Sequence, residues 1–318
     1  MSSEVALVSV ILPVFNRLRC LREAIGSVFE QTYTAWELII ADDGSASETT
    51  DYLRGLRDPR VTVVWGQHCG NPGRVRNAAM RRARGRYLAF IDSDDCWEAA
   101  KIERQLGRLG RAPERRWCYT AVAHIDEDGA PVSTEGWAPW VPYDGQILEP
   151  LLALAAHVAT PTVLAERELV EAVGGFDENL LFCEHLDLWM RLAARSPVAV
   201  VDEPLVRVRS QRDRYSADRA GDYEGQVRLY GKAAETLADP RLRALARRRR
   251  AAAALVLAGL HVDAGRRWQV ARTLGDAASF GGASPTWWWG ATKTAVRACL
   301  PAAVRAGWRA VQRALGRG

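Results

Sequence analysis

Acidic side chains follow two apolar runs of the sequence, at the point where each run ends. Asp42 and Asp43 come directly after the run 36–41, and Asp92, Asp94 and Asp95 follow the run 87–91. Short apolar runs of this kind are typical of buried strands. In an open α/β sheet the loops at the carboxyl ends of the strands meet in one crevice, where ligands bind. We therefore expect up to five carboxylates to converge there.

These carboxylates need a partner, because like charges that close repel one another unless a cation or a hydrogen-bonded ligand neutralises them. A hard divalent ion, Mg²⁺ or Mn²⁺, takes oxygen ligands of this kind, with a phosphate as co-ligand. The alternative is that the aspartates form turns and cap helices. The turn interpretation is favoured for Asp42, and the cation interpretation for Asp92 together with Asp94.

The elements that position these acids alternate between strand and helix patterns. Strand-like runs occur at 8–14, 36–41, 61–65, 87–91 and 199–208, and helical patterns occur at 18–29, 45–57 and 74–83. Such alternation predicts an α/β fold with a mostly parallel sheet and helices on both faces.

Composition excludes a disordered or collagen-like chain, since 48% of the 318 residues are hydrophobic and 25% are charged. No apolar run approaches the roughly 18 residues that a membrane span needs. The N-terminus lacks a signal-peptide pattern because Glu4 interrupts it. Six cysteines without a Cys-x-x-Cys pair indicate reduced thiols and no zinc site. These features predict a cytoplasmic protein.

Four segments together resemble the family 2 glycosyltransferases of the GT-A fold: residues 8–16, 39–45, 76–77 and 85–95. Residues 174–178 and 184–191 resemble later segments of that family, so the resemblance extends over residues 5–215. It implies a GT-A nucleotide-diphospho-sugar transferase fold with a Rossmann-like, mixed but mostly parallel sheet. We expect a catalytic domain at 1–220 and a basic α-helical region at 221–318.

The resemblance implies a nucleotide pocket at the first two strand ends. Asp43 matches the acid that hydrogen-bonds the nucleotide base, and Pro13, Val14 and Asn16 line the same pocket, largely through their backbone. Arg76 is expected either to contact a phosphate or to be a solvated residue near the start of its helix.

The resemblance also implies a metal site. Asp92 and Asp94 match the family's D-x-D pair, with Asp94 as the direct ligand of Mg²⁺ or Mn²⁺ and Asp92 nearer the ribose and the metal-bound waters. A cation that bridges the two phosphates neutralises the charge that builds on the departing nucleoside diphosphate.

The position of the expected general base departs from the family pattern. Inverting members use the Asp of a Glu-Asp pair, whereas this chain has Glu184 followed by His185. An imidazole can accept a proton near neutral pH. Three interpretations stay open: His185 is the base, Glu184 or Asp187 has taken over, or the site binds without catalysis. Asp187 also has a structural interpretation, as the partner of Arg191 or Arg195.

Two further groups of side chains each have two alternative interpretations. Trp137 and Trp140 are expected to line an acceptor cleft or to pack in the interior. Four arginines after the last strand either grip the diphosphate or form a solvated basic loop: Arg207, Arg209, Arg212 and Arg214.

Charge divides the chain unevenly. The net charge is +5, but residues 241–318 hold 15 Lys and Arg against 2 acids, which leaves −8 for residues 1–240. From Gly221 onward the pattern predicts two or three helices before the segment 281–285, and a final helix after Trp287–Trp289. This last helix is predicted to be basic and amphipathic from Val296 to Leu315, with a kink at Pro301.

A basic amphipathic helix after clustered tryptophans suits an anionic membrane interface, here the inner face of the cytoplasmic membrane. Docking of its apolar face on the catalytic domain or on a second subunit is the alternative. Nucleic acid is not expected as a partner, because the sequence contains no recognised nucleic-acid fold.

The function that the resemblance implies is that of a metal-dependent inverting glycosyltransferase. It would move a sugar from a nucleoside-diphosphate sugar to a hydroxyl of a glycan or lipid-linked acceptor. The alternatives are a nucleotide-sugar-binding protein with impaired catalysis and a nucleotidyltransferase. The latter is disfavoured by the lack of a Gly-rich triphosphate loop with a Lys after the first strand.

Overall fold

The computed structural model describes residues 5–135, 139–210, 218–281 and 285–299. The chain divides into two compact units, Met1–Asp213 and Arg214–Gly318. The first contains the sheet, and the second is helical within its described residues.

The first unit alternates strands with helices, as its sequence pattern predicts. Its strands are β1 (Val8–Val14), β2 (Trp36–Asp42), β3 (Val61–Trp65), β4 (Tyr87–Phe90), β5 (Cys96–Trp97), β6 (Trp117–Ile125), β7 (Leu164–Glu166) and β8 (Val198–Arg209). Its helices are α1 (Leu18–Phe29), α2 (Ser47–Gly55), α3 (Pro72–Met80), α4 (Lys101–Gly110), α5 (Leu148–Leu152), α6 (Arg167–Ala172) and α7 (Glu184–Ala193), and a 3₁₀ turn covers Thr160–Thr162.

One sheet holds all eight strands in the order β3-β2-β1-β4-β7-β6-β8-β5. The pairs among β3, β2, β1 and β4 are parallel, and so is β6 with β8. The remaining pairs, β4 with β7, β6 with β7 and β5 with β8, are antiparallel. The predicted mixed but mostly parallel sheet is therefore confirmed.

The register of the central strands brings their carboxyl ends to one edge. Val14 at the end of β1 pairs with Asp42 at the end of β2, and Ile11 pairs with Phe90 at the end of β4. Because β1 lies between β2 and β4, the loops that carry Asp43 and Asp92 flank it on both sides. This edge is where a ligand site is expected in an open α/β sheet.

The central strands are held by burial on both faces, as is usual for parallel sheets covered by helices. Every residue of β2 is buried, and in β1 only Pro13 is partly exposed. A second group of large side chains lies around Trp189 of α7, whose ring packs edge-on against Phe90 and Phe176 and stacks on Trp117. These contacts fix α7 near the end of β4.

The second unit contains α8 (Arg219–Thr236), α9 (Pro240–Asp263), α10 (Arg267–Gly281) and α11 (Pro285–Cys299). Its interior is built mainly from alanines, with Trp287 buried among them and donating its indole N–H to the carbonyl of Ala251 at 2.9 Å. The helix α11 starts at Pro285, so the three tryptophans lie inside it and not before it. Within the described residues, no helix is long and apolar enough to cross a membrane. The predicted face beyond Cys299 lies outside the described residues.

Candidate active site

A buried arginine joins two distant segments at the carboxyl edge of the sheet. Asn71 caps α3 by accepting a hydrogen bond from the Arg74 N–H at 2.9 Å, and Arg76 on this helix is only 5% exposed. Its Nη2 donates to Asp92 Oδ1 at 2.6 Å, and its Nη1 donates to Glu184 Oε1 at 3.0 Å. Burial alone would lower the pKa of the guanidinium, but the charges of Asp92 and Glu184 outweigh it and raise that pKa. The solvated interpretation of Arg76 is therefore wrong.

Glu184 and His185 begin α7, one residue after Cys183, whose backbone is left-handed with φ 62°. The Glu184 side chain is buried. Burial by itself raises its pKa, but His185 and Arg76 outweigh burial and lower it to about 2. His185 Nδ1 lies 3.8 Å from Glu184 Oε2, and the imidazole is 43% exposed. Glu184 is thus a fixed anion engaged by Arg76, whereas the His185 ring is accessible to a ligand.

Asp187 pairs with Arg191, one of the two arginines that the sequence offered as its partner. It is 3% exposed, and its Oδ2 accepts from Arg191 Nε at 2.8 Å. The same guanidinium donates to the carbonyls of Val173 at 2.6 Å and Gly175 at 2.7 Å. Asp187 therefore orients an arginine that holds the turn before Phe176. This arrangement favours a positioning role over a role as base.

The loops after β1 and β2 are tied together. Val14 O accepts from Asp43 N at 2.8 Å, Asn16 N donates to Ser45 Oγ at 2.8 Å, and Asn16 Oδ1 accepts from Ala46 N at 2.8 Å. Pro13 is partly exposed beside them. Thus the structure brings Pro13, Val14 and Asn16 next to Asp43.

Asp42 and Asp43 have different environments. The Asp42 carboxylate accepts from the backbone N–H of Gly44 and of Ser45, which confirms its turn interpretation. The Asp43 carboxylate accepts from Cys69 N at 2.9 Å and Gly70 N at 3.0 Å, and a cavity of about 390 Å³ lies against it.

A histidine also contacts Asp43. His68 Nδ1 lies 2.9 Å from Asp43 Oδ2, and its imidazole stacks on the ring of Phe15 with centroids 4.0 Å apart. Sequence reasoning gave no role to either ring.

Arg17 and Arg209 also hold the D-x-D loop. Arg17 Nη1 donates to Asp94 Oδ2 at 2.7 Å. Arg209 is fully buried; its Nε donates to Asp94 O at 3.0 Å, and its backbone N–H donates to Asp95 Oδ1 at 2.9 Å. The rest of its guanidinium is bonded to Glu23 and to the carbonyls of Asp126 and Glu127. Both interpretations of Arg209, as a diphosphate ligand and as a solvated residue, are therefore wrong, because its nitrogens fasten the loop.

The donor atoms on this loop suit a hard divalent cation. Asp92 and Asp94 supply only carboxylate oxygens, and a cation such as Mg²⁺ commonly combines one or two carboxylates with substrate phosphates and water. No group of three or more His, Cys, Asp or Glu side chains arranged for a metal ion occurs in the described part of the chain. Two carboxylates would leave the rest of the shell of such a cation to water and to a phosphate-bearing ligand.

Asn77 supports the site without having been given a role from the sequence. Its Nδ2 donates to Phe176 O at 2.9 Å and to Glu178 Oε1 at 3.0 Å, and its Oδ1 accepts from Phe176 N at 3.0 Å. The sequence signal for this contact was the adjacent pair Gly174 and Gly175, which is typical of a tight turn. In the structure both glycines have positive φ, and Asn77 holds the turn that they form.

The aromatic candidates on the acceptor side are only partly described. Trp140 packs edge-on against Tyr119, with centroids 6.3 Å apart, and is partly exposed. The Nε of Arg207 lies 3.0 Å from the Oε1 of Glu98. Trp137, Arg212 and Arg214 lie outside the described residues.

The sheet order, the acidic loops on both sides of β1 and the D-x-D loop define a protein of the GT-A class. The sequence model described as Glycosyl transferase family 2 matches residues 9–172, slightly more than half of the chain. The chain therefore belongs to glycosyltransferase family 2, and the resemblance predicted from its motifs is confirmed.

Relatives with sequence similarity carry the same type of name. An "uncharacterized glycosyltransferase" of Rickettsia felis is 32% identical over 207 residues, which are 64% of this chain and 33% of the relative. The Escherichia coli UDP-Glc:alpha-D-GlcNAc-diphosphoundecaprenol beta-1,3-glucosyltransferase WfgD is 37% identical over 103 residues, 32% of this chain and 41% of WfgD. The chain thus spans less than half the length of either relative.

Solved structures have a similar fold. Staphylococcus aureus TarS 1-349 in complex with UDP-GlcNAc superimposes with a TM-score of 0.67 at 16% identity, covering 95% of this chain and 91% of TarS 1-349. The mannosyltransferase PcManGT of Pyrobaculum calidifontis, in complex with GDP-Man and Mn²⁺, gives a TM-score of 0.59 at 18% identity, covering 91% and 79%. The predicted GT-A fold is confirmed.

Proposed function

We propose that this chain is an inverting, metal-dependent glycosyltransferase. It transfers a sugar from a nucleoside-diphosphate sugar to a hydroxyl of a lipid-linked or glycan acceptor. The catalytic domain comprises residues 1–220, and residues 221–318 form a basic helical region that contacts the inner face of the cytoplasmic membrane.

The observation that carries this proposal is the double contact of Arg76. One guanidinium bonds Asp92 of the D-x-D loop and Glu184, the neighbour of His185. A donor held at the D-x-D loop and an acceptor held beside α7 would therefore meet across this arginine. Transfer requires such proximity, because the attacking oxygen must lie close to the anomeric carbon.

The donor end of the site is assigned to the loops on both sides of β1. Asp43 would accept a hydrogen bond from the nucleotide base, with Pro13, Val14 and Asn16 beside it. Asp92 and Asp94 would hold Mg²⁺ or Mn²⁺. A bound cation supplies charge stabilisation for the departing diphosphate. The solved complex of PcManGT with GDP-Man and Mn²⁺ is a protein of similar fold that holds such a pair of ligands.

The acceptor end is assigned to the start of α7. His185 would remove the acceptor proton, because its ring is accessible while Glu184 is buried against Arg76 and Asp187 is paired with Arg191. A carboxylate whose pKa is about 2 is a weak base near neutral pH, which disfavours Glu184 for this role. Glu184 instead orients Arg76 and gives the imidazole a nearby anion.

The acceptor class is inferred from the relatives. WfgD is named for action on a diphosphoundecaprenol-linked sugar, and a lipid-linked acceptor of that kind lies at a membrane surface. Family membership leaves the nucleotidyltransferase alternative without support.

The test is donor turnover with UDP-, GDP- and dTDP-sugars, with and without Mn²⁺, after a thermal-shift screen to find the donor that stabilises the fold. We expect Asp94→Ala to abolish transfer while the protein stays folded, and Asp128→Ala, a change at a carboxylate that is 91% exposed, to leave transfer intact. Full activity in Asp94→Ala, or activity that chelator does not affect, would refute the metal assignment. Donor binding without turnover on any acceptor would favour the binding-protein alternative.

A further inference from the structure

An imidazole sits in the pocket assigned to the nucleotide base. His68 belongs to the connection between β3 and α3, and its ring lies 4.0 Å from the ring of Phe15, centroid to centroid, at an interplanar angle of 21°. Its Nδ1 lies 2.9 Å from Asp43 Oδ2 and 3.1 Å from Asp43 O. Both atoms are acceptors, so Nδ1 carries the hydrogen.

These contacts are the ones that a nucleobase would need at this place. A base presents a flat ring that stacks on an aromatic side chain, and a ring or amino N–H that donates to a carboxylate. His68 offers a flat ring stacked on Phe15 and an N–H directed at Asp43. Both stacked rings also face solvent, since Phe15 is 42% exposed and the His68 side chain is 52% exposed.

We propose that the imidazole of His68 occupies the position that the nucleobase takes on binding, so that a nucleotide must displace it. This inference rests on the proposed function, because it takes Asp43 as the residue that recognises the base. It makes His68 an internal competitor that sets the affinity for the nucleotide.

The displacement requires rotation of a side chain and no movement of the loop. The amides of Cys69 and Gly70 are bonded to the Asp43 carboxylate, and a Cβ on Gly44 would lie 2.6 Å from His68 N, so the backbone on both sides is closely packed. A carboxylate has about four lone-pair positions. The base can therefore take over the bond of the imidazole while both amide bonds persist.

The experiment is calorimetric titration of UDP, GDP and dTDP, in the presence of Mn²⁺, into the full chain and its variants. Removing the competitor raises the fraction of protein that is competent to bind, and the apparent affinity rises in proportion. From the usual worth of one hydrogen bond and one aromatic pair, we expect His68→Ala to bind the preferred nucleotide about tenfold more tightly. His68→Phe keeps the stacking ring but loses the N–H, so its gain should be smaller. His157→Ala, at an exposed histidine outside this pocket, should match the wild type.

A second measurement uses the unmodified protein. In a ¹H–¹³C spectrum the ring protons of His68 should be shifted by the Phe15 ring, and this shift should disappear when UDP or the preferred nucleotide saturates the protein. Equal or weaker binding by His68→Ala, or an imidazole signal that keeps its shift at saturation, would overturn the inference and leave the proposed function standing. If neither the wild type nor any variant binds any of the three nucleotides, the proposed function itself fails, and the inference fails with it.

Discussion

The charges of Arg76 and Glu184 depend on each other, because both side chains are buried and they are hydrogen-bonded to one another. A buried ion pair contributes little by itself, but removing one partner leaves an uncompensated charge and costs about 3 to 5 kcal/mol. Arg76 also pairs with Asp92, so its guanidinium balances two carboxylates. The site is therefore held together by ion pairs between the protein's own side chains.

The lowered pKa of Glu184 predicts a pH dependence of stability. Its folded-state pKa of about 2 lies below the ordinary value of 4.5, so ionised Glu184 stabilises the fold above pH 4.5 and this contribution is lost as the pH falls toward 2. In urea unfolding we expect Glu184→Gln to be less stable than the wild type at pH 7, and the difference to narrow at pH 3.5. Glu30→Gln, at an exposed glutamate, should show neither effect.

His185 gives the prediction that decides the catalytic step. If its imidazole accepts the proton, His185→Ala should lose about 10²- to 10⁴-fold in turnover, the usual worth of a general base. His185→Asp should recover part of this loss and move the acidic limb of the pH–rate profile lower, since a carboxylate loses its proton at lower pH than an imidazole.

Steady-state kinetics across pH, with donor affinity measured separately, tests this assignment. If His185→Ala keeps near-full turnover while Glu184→Gln or Asp187→Asn has none, the carboxylate removed in the inactive variant is the general base. His157→Ala is the matched control, because it removes an exposed imidazole elsewhere on the surface.

At the scale of elements, the sequence predicts β1 to β4 and β8 but misses β5, β6 and β7. The runs that became β1 to β4 are apolar and separated by helical spacing, so their type and order follow from periodicity. Three later strands had no usable signal for different reasons. β5 has two residues and β7 has three, too few for a period, while β6 was not recognised among polar and aromatic neighbours.

The partners of a buried arginine are equally hard to read from sequence. Nothing in the residues around Arg76 specifies contact with Glu184, which is 108 positions away. That contact depends on α7 packing beside β4 through Trp189, which is a tertiary effect. The D-x-D loop, by contrast, was identified because its position at a strand end is local information.

The turn before Phe176 allows a matched test of how α3 and α7 are held together. Gly174 and Gly175 both have positive φ, but a Cβ on Gly175 would lie 2.9 Å from Asn77 Oδ1, whereas a Cβ on Gly174 would meet nothing within 4 Å. Gly174→Ala should therefore lower the free energy of unfolding by about 1 kcal/mol, the cost of the backbone strain alone. Gly175→Ala should lower it by roughly 1 to 3 kcal/mol more, because the added Cβ also displaces Asn77. Urea unfolding measures both, and equal midpoints for the two variants would contradict the role assigned to Asn77.

At the scale of the whole molecule, the chain combines an acidic α/β unit with a basic helical one. This division has a chemical rationale under the proposed function, because a cationic surface would hold the protein at an anionic membrane, where a lipid-linked acceptor lies. Large apolar side chains on α11 are exposed, with Trp289 at 64% and Val296 at 57%, and the Lys293 ammonium lies 4.7 Å from the Trp289 ring centroid. Exposed tryptophan beside cations is the composition of an interfacial helix.

Flotation with vesicles tests the proposed membrane contact. Vesicles that contain phosphatidylglycerol should carry the full chain at low salt and release it at high salt, because each Lys or Arg near an anionic surface adds on the order of 1 kcal/mol and salt screens that attraction. The double variant Trp289→Ser with Val296→Ser, and truncation at Gly282, should both abolish flotation. Trp268→Ser, which removes a tryptophan that is 76% exposed on α10, should retain it. Equal flotation by the truncated chain would move the contact to the first unit or to α8–α10. No flotation of the full chain at any salt concentration would instead favour docking of the apolar face on protein, and the basic surface would then need a different acidic partner.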